Sequence, residues 1–213
     1  MPANPTALMP IIHILAFSGG FVIMSMELLG GRILAPYFGS GIYVWGSIIS
    51  IFMLSLAIGY LLGGRLSVRA PSLKRFASIF IVGALLMYPL VLFADPVMNA
   101  IFLRVEDPRY GSLLASAFLF ILPTVVLGMI SPYSVRLLVE CVEESGKVAG
   151  ALYFTSTLGS ALGTLMTSFY FVLWFEVNTT LTLLTGTLIT VSVLAMLYAR
   201  FLNWSRDQGE PAN

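Results

Sequence analysis

The stretch that decides the fold closes the first long apolar run and reads Met26-Glu27-Leu28-Leu29-Gly30-Gly31-Arg32-Ile33-Leu34-Ala35-Pro36-Tyr37-Phe38-Gly39. It places a carboxylate, a glycine pair and a guanidinium at the edge of a hydrocarbon-like segment. Pro36 lacks a backbone donor, so we expect the first helix to end before it. An ionisable side chain inside a membrane span is costly, which makes Glu27 the first candidate for a functional residue.

The composition indicates the class of protein. Of the 213 residues, 58% are hydrophobic and 10% are charged, whereas soluble domains carry about 25% charged residues. The low charge extends along the whole chain and predicts a polytopic protein in a lipid bilayer. The net charge of +1 argues against a nucleic-acid partner, and a single cysteine, Cys141, excludes an internal disulfide.

Six apolar segments are long enough to cross a bilayer as helices, since about 20 residues suffice. They cover about 11–34, 44–66, 75–95, 113–131, 148–174 and 179–201. The sequence therefore predicts an all-α polytopic membrane protein with residues 1–213 in one transmembrane domain. We expect the first segment to be a retained span and not a signal peptide. Asp95-Pro96 predicts either the end of the third helix or a kink in it, and Pro123 with Ser131-Pro132 predicts a kinked or broken fourth helix.

Basic residues near the span ends predict the orientation, because Lys and Arg are enriched in cytoplasmic loops. The side with fewer of them has Arg104 and Arg109, partly offset by Glu106 and Asp107, besides Arg32 at the membrane edge. The opposite side has Arg65, Arg69, Lys74, Arg75, Arg136, Lys147, Arg200 and Arg206. We therefore expect both termini to be cytoplasmic, in a bacterial-type inner (plasma) membrane.

The second and fifth spans share residues at one constant offset, which favours an internal repeat. The matching sets are Gly46, Leu54, Ala57, Gly59 and Gly150, Leu158, Ala161, Gly163. Two copies of three spans, about 11–104 and 112–204, would have opposite orientations, as in the 3+3 inverted design of many transporters. The alternative is that small residues recur in any helical membrane protein.

Several motifs together resemble the membrane domain of the fused major-facilitator/spermidine-synthase proteins. They cover most of residues 19–175 and comprise Glu27–Gly39 with Val44-Trp45-Gly46, Gly59-Tyr60-Leu61-Leu62-Gly63-Gly64-Arg65-Leu66, Leu122–Tyr133, Gly146-Lys147-Val148-Ala149-Gly150 and Thr157–Thr164. The resemblance implies the architecture of one half of a major-facilitator transporter. Val68 stands where that superfamily's Gly-x-Leu-x-Asp-Arg signature has its acid.

The soluble synthase domain that commonly follows in that family is not among these residues, and no Gly-rich cofactor loop follows a strand. We therefore expect neither an enzyme activity nor a cofactor in this chain. No nucleophile–base pair and no metal-ligand cluster is visible, so we assign no catalytic residue and no metal site. A spermidine synthase-like activity would need a separately encoded cytoplasmic partner.

Glu27 is the leading candidate for binding a substrate or a proton. It shares a helical face with His13, Ala16, Gly20, Met24 and Gly31, whose small members let another helix approach. The carboxylate is therefore expected to point into the bundle. The alternatives are a structural bond to Arg32, another helix or the backbone, or a contact with a lipid headgroup.

The other candidate binding residues are Arg32 and three residues of the fifth span, Thr157, Ser160 and Thr164. Arg32 lies about 140° from Glu27 around an ideal helix, so the two do not form an in-line pair, and a snorkelling side chain is its alternative role. The hydroxyls of the fifth span either line a polar pathway or support close helix packing.

These observations lead to two functional hypotheses. The first is a transporter-like protein that moves a small solute, with a polyamine or organic cation implied only by the resemblance. Six spans are half of what most such transporters use, so a homodimer or a partner membrane subunit is expected. The second is a non-transporting anchor or regulatory subunit for a spermidine synthase-like enzyme.

Overall fold

The computed structural model describes residues 5–68, 71–105, 107–139 and 141–207, with side chains from residue 8 to residue 201 of these ranges. The described chain contains the helices α1 Pro5–Phe38, α2 Ile42–Val68, α3 Leu73–Phe102, α4 Pro108–Gly128, α5 Ile130–Leu138, α6 Ser145–Met166, α7 Val172–Trp174 and α8 Val177–Asp207. A 3₁₀ turn, Val142–Glu144, precedes α6, and a π-helical turn, Thr167–Phe171, follows it. Arg69, Glu106 and the side chain of Arg206, used above for orientation, lie outside these residues.

Six helical segments are long and apolar enough to cross a membrane. They are Leu8–Phe38, Ile42–Val68, Leu73–Phe102, Pro108–Leu138, Val142–Trp174 and Val177–Phe201. The fourth combines α4 with α5, and the fifth runs from the 3₁₀ turn to α7. The predicted all-α, six-span, multi-pass membrane fold is confirmed.

The predicted helix end at Pro36 is wrong, because Pro36 lies inside α1, which ends at Phe38. Pro96 lies inside α3, which continues from Asp95 to Phe102, so the third helix does not end there. The alternative of a kink at Pro96 stays a prediction. A proline removes one helical hydrogen bond, but packed neighbours in a membrane bundle keep the helix intact around it. The predicted break of the fourth span is confirmed at Met129, between α4 and α5.

The bundle is built around α1, which packs on α6, α8, α5, α2 and α4, while α2 packs on α4 and α3 on α8. Glycines allow close approaches in two pairs of helices. A Cβ at Gly163 of α6 would overlap the carbonyl oxygen of Phe21 in α1, and one at Gly59 of α2 would overlap that of Val125 in α4. A hydrogen bond of 2.6 Å from the buried Ser192 hydroxyl to the Ala77 carbonyl joins α8 to α3.

These two glycine contacts are related by the offset seen in the sequence. Gly163 follows Gly59, and Val125 follows Phe21, at the same distance along the chain. With this offset, α1 corresponds to α4, α2 to α6 and α3 to α8. The α1–α6 contact in one direction therefore corresponds to the α4–α2 contact in the other, and the α3–α8 pair corresponds to itself. An inverted repeat of two three-span units predicts this correspondence.

Candidate functional site

A cavity of about 420 Å³ lies between α1, α2, α6 and the junction of α4 with α5. Glycines and apolar residues form part of its wall. Six hydroxyl-bearing side chains also line it, namely Tyr60, Ser131, Tyr153, Ser156, Thr157 and Ser160. Two of the predicted site residues, Thr157 and Ser160, are therefore brought to one cavity.

The cavity lies halfway along the spans. Ile23, which lines it, is the central residue of Leu8–Phe38, and Leu56 and Thr157 lie beside the centres of Ile42–Val68 and Val142–Trp174. We therefore call it the midplane cavity. Solute sites of transporters occur at this depth.

The Ser and Thr hydroxyls of the midplane cavity are not used within the described structure. Those of Ser131, Ser156, Thr157 and Ser160 make no hydrogen bond to a described residue. On the same helix, Thr155 and Thr164 donate 2.9 Å hydrogen bonds to the carbonyl oxygens of Ala151 and Ser160, one turn earlier. Hydroxyls that lack this local bond beside an open space are available to a polar ligand.

The break of the fourth span adds backbone acceptors to the same place. Gly128, Ile130, Ser131 and Pro132 all line the cavity. Pro132 has no N–H, so the Gly128 carbonyl oxygen, one turn earlier, loses its helical donor. Interrupted helices at membrane depth are tolerated where they border a cavity, and transporters use them to bind solutes.

Glu27 lies next to the midplane cavity but is not part of its wall. On an ideal helix it projects within about 40° of both Gly20 and Ile23, and it lies about 6 Å beyond Ile23 along the axis. Its side chain is half-buried, and no described residue forms an ion pair or a hydrogen bond with it. The predicted orientation into the bundle therefore holds in part.

Arg32 and Thr164 have other roles. The exposed Arg32 donates a 2.9 Å hydrogen bond from Nη1 to the carbonyl oxygen of Val172, and so it pairs with α7 and not with Glu27. Thr164 uses its hydroxyl within α6. Neither residue lines the midplane cavity.

Sequence reasoning missed Tyr60, Tyr153 and Ser131 as members of the site, and it considered Ser156 only as one of the hydroxyls of the fifth span. The sequence did point to Ser131, because it directly precedes the proline that predicts the break of the fourth span. It was interpreted only as part of that kink and not as a cavity residue. The two tyrosines are ordinary aromatic residues of membrane helices in the sequence. Their common cavity results from long-range packing of α2, α5 and α6.

The chemistry available at the site is hydrogen bonding, with one carboxylate nearby. Within the described residues, no group of three or more His, Cys, Asp or Glu side chains could hold a metal ion. The arrangement suits reversible binding of a small polar or cationic molecule.

In comparisons with known proteins, no family model, curated protein or solved structure matches the chain. The resemblance to the fused major-facilitator/spermidine-synthase membrane domain therefore stays a prediction.

Proposed function

We propose that the protein is a transporter-like protein of a bacterial-type inner membrane, with both termini cytoplasmic, that binds a small solute in the midplane cavity and moves it across. The main support for this proposal is the environment of the cavity. Four Ser and Thr hydroxyls with no hydrogen bond to a described residue surround a cavity at the centre of the spans, beside a broken helix. Polar groups are expensive at this depth unless they serve a solute, water or a partner.

Glu27 is proposed as the residue that binds the solute or couples its movement to a proton. It lies on the face of α1 that borders the cavity, about one turn beyond Ile23, and no described cation neutralises it. A carboxylate in this position attracts cations, and it can take up and release protons that reach it through the cavity.

The substrate class that fits best is a small organic cation such as a polyamine. A carboxylate and aromatic rings are groups that bind ammonium ions, and Tyr60 and Tyr153 line the cavity. The choice of a polyamine rests on the sequence resemblance.

Uptake by the purified protein in proteoliposomes tests the proposal. The panel contains polyamines, other organic cations and amino acids, each with and without an imposed proton or sodium gradient. Saturable uptake that Glu27→Gln abolishes supports the proposed role. Asp95→Asn is the matched control, because Asp95 is an exposed carboxyl on α3 away from the cavity, and it should keep wild-type uptake.

One result would contradict transport. It is an absence of flux and of binding for every solute in the panel, measured with protein whose thermal unfolding shows that it is folded. An equal loss of uptake in Glu27→Gln and Asp95→Asn would instead contradict the specific role of Glu27.

We further propose that a second copy of the chain, or a partner membrane subunit, covers the cavity. Tyr60 and Tyr153 are 47% and 53% exposed at its edge. In an 18-residue apolar stretch of the fifth span 17% of the residues are buried, whereas in such stretches of the other five spans 39–50% are. Cross-linking through Gly150→Cys in a Cys141→Ser background would give covalent dimers if two copies meet at α6, and a monomer throughout would contradict the homodimer.

The half-transporter architecture is part of the same proposal. Its support is the exchange of the Gly59–Val125 and Gly163–Phe21 contacts between the two three-span units. In such folds the solute site lies at the interface of the two repeats, and the midplane cavity lies between α1 and α2 of one unit and α5 and α6 of the other.

The alternative function is a membrane anchor or regulatory subunit for a spermidine synthase-like enzyme. Exposed charges of both signs at one end of the bundle favour it, with Arg65, Lys74 and Arg75 near the α2–α3 connection and Glu143 and Glu144 before α6. Co-purification with a soluble aminopropyltransferase-like enzyme, lost when Lys74 and Glu143 are both neutralised, would support this alternative. Uptake without any such partner would contradict it.

A further inference from the structure

A second cavity lies at the C-terminal end of α2. It is an open groove of about 640 Å³ lined by Leu62, Arg65, Leu66, Val68 and Met129. We call it the α2 groove. None of these five residues lines the midplane cavity, although Met129 lies between Gly128 and Ile130, which do.

The groove joins apolar walls to one positive charge at the end of a span. Leu62 and Leu66 are one turn apart on the same face of α2, and they are 37% and 40% exposed. Arg65 is in the last turn of α2, and Val68 is the final residue of the second span. At 1.5 Å per residue, the groove follows α2 for about 9 Å, from Leu62 to the membrane edge.

Arg65 has no acidic partner in the described part of the chain. The ion pair among the described residues joins Arg109 to Asp107 and lies near the opposite end of α2. The exposed Lys74 and Arg136 add positive charge at the end where Arg65 lies. Arg136 is on α5, which packs beside α2. Lys74 is close in sequence to Ser72, whose N–H donates a 3.2 Å hydrogen bond to the Tyr133 hydroxyl of α5. Arg65 is the charged residue that lines the groove, and the described basic side chains near this end outnumber the acidic Glu143 and Glu144. The groove therefore places a positive charge at the depth of lipid phosphates.

We propose that the α2 groove binds an anionic phospholipid, with the phosphate on Arg65 and an acyl chain along Leu62, Leu66 and Met129. A guanidinium binds phosphate oxygens with two parallel hydrogen bonds, and the leucines supply the apolar surface that a free phosphate ion would not use. A basic pocket between helices near the membrane edge is a recurrent way of holding lipid headgroups. The lipid would touch Met129, the residue at which the fourth span is broken, and would thereby support the α4–α5 junction.

Lipid titration of the delipidated, detergent-solubilised protein tests this site. Retained lipid is counted by native mass spectrometry for phosphatidylglycerol and phosphatidylcholine with identical acyl chains. We expect the wild type to bind phosphatidylglycerol more tightly. Arg65→Gln should lower that affinity roughly tenfold, as expected for losing charge-assisted hydrogen bonds, and Arg65→Lys should restore part of it.

Lys74→Gln is the matched control, because it removes one exposed positive charge near the same end without touching the groove. An equal loss in Lys74→Gln and Arg65→Gln would overturn the site and indicate a diffuse basic surface. Equal binding of the two lipids by the wild type would overturn the role of charge.

Two further measurements distinguish a lipid from a free ion and test the apolar wall of the groove. Inorganic phosphate alone should not raise the unfolding temperature as phosphatidylglycerol does, and an equal increase would show an ion site without a lipid. Leu66→Ser should weaken phosphatidylglycerol binding while Arg65 remains in place, and unchanged binding would contradict the apolar wall. Each variant is first compared with the wild type for thermal unfolding without added lipid.

Discussion

The Nη1 atom of Arg32 donates a hydrogen bond of 2.9 Å to the carbonyl oxygen of Val172. The bond joins α1 to the first residue of α7, directly after the π-helical turn Thr167–Phe171. Phe21 of α1 also contacts Phe171 of that turn, with ring centroids 6.3 Å apart. The end of the fifth span is thus held to α1 by one polar and one aromatic contact.

Replacing Arg32 should loosen this end of the fifth span. Arg32→Ala is expected to lower the free energy of unfolding by about 1 kcal/mol, since a hydrogen bond from a charged donor is lost at an exposed position. Arg32→Lys should recover part of the loss. Thermal unfolding in detergent measures the effect, with Arg104→Ala, another exposed arginine, as control. A loss of the same size in Arg104→Ala would show that the bond to Val172 has no particular weight.

The glycines of α6 should divide into two classes. Gly163→Ala would place a Cβ against the Phe21 carbonyl oxygen, so α1 and α6 must separate, and we expect a loss of about 1–3 kcal/mol of stability, as for overpacked sites. Gly150→Ala meets no atom within 4 Å and should be neutral or stabilising by up to about 1 kcal/mol, because alanine favours helix. Equal unfolding temperatures for the two variants would contradict the close α1–α6 packing.

The sequence predicted what depends on local chemistry. Six spans follow from the length of apolar runs, and the break near Met129 follows from the proline at position 132. Neither Pro36 nor Pro96 ends its helix, since a helix within a membrane bundle can continue past a proline when packed neighbours satisfy the freed backbone groups. No residue type marks a π-helical turn, so the one after Met166 was not predicted.

The site was predictable only in part, because its members are distant in the sequence. Thr157 and Ser160, predicted from the hydroxyl-rich fifth span, line the cavity, whereas Glu27, predicted from its charge, does not. The hydrogen bond from Arg32 to Val172 joins residues 140 positions apart. It depends on how α1 crosses the fifth span and could not be predicted from the sequence. The meeting of Tyr60, Ser131 and Tyr153 at one cavity depends in the same way on long-range packing.

The connection before α4 should make a pH-dependent contribution to stability. The Arg109 guanidinium, 2.8 Å from the Asp107 carboxylate, and the Arg109 backbone N–H hold the pKa of Asp107 below its usual range. A lowered pKa in the folded state means that the stabilisation is fully present above the unfolded pKa of about 3.9. It is lost as the pH falls through the lower folded pKa.

Asp107→Asn isolates this charge, because an asparagine side chain still caps α4 through its oxygen. The variant should unfold at a slightly lower temperature than the wild type at pH 7, and the difference should shrink when the pH is lowered to 3. Thermal unfolding between pH 7 and pH 3 measures it. A difference that stays constant over this interval would show that the ion pair does not contribute.

The hydroxyl of Thr157 should matter for a ligand and not for the fold. It lines the midplane cavity and makes no hydrogen bond to a described residue, so Thr157→Val should keep the wild-type unfolding temperature. For a solute identified by the uptake panel, the same variant should raise the dissociation constant by about 2–10-fold, the effect of one lost hydrogen bond. Isothermal titration measures this constant.

Thr155→Val is the matched control on the same helix. Its hydroxyl already donates to the Ala151 carbonyl oxygen, and Thr155 does not line the cavity, so solute affinity should not change. If Thr155→Val weakened binding as much as Thr157→Val, the effect would come from the shape or stability of α6. If neither variant changed the affinity, the solute would bind elsewhere, and the unpaired hydroxyls of the midplane cavity would need another explanation, such as ordered water or the covering subunit.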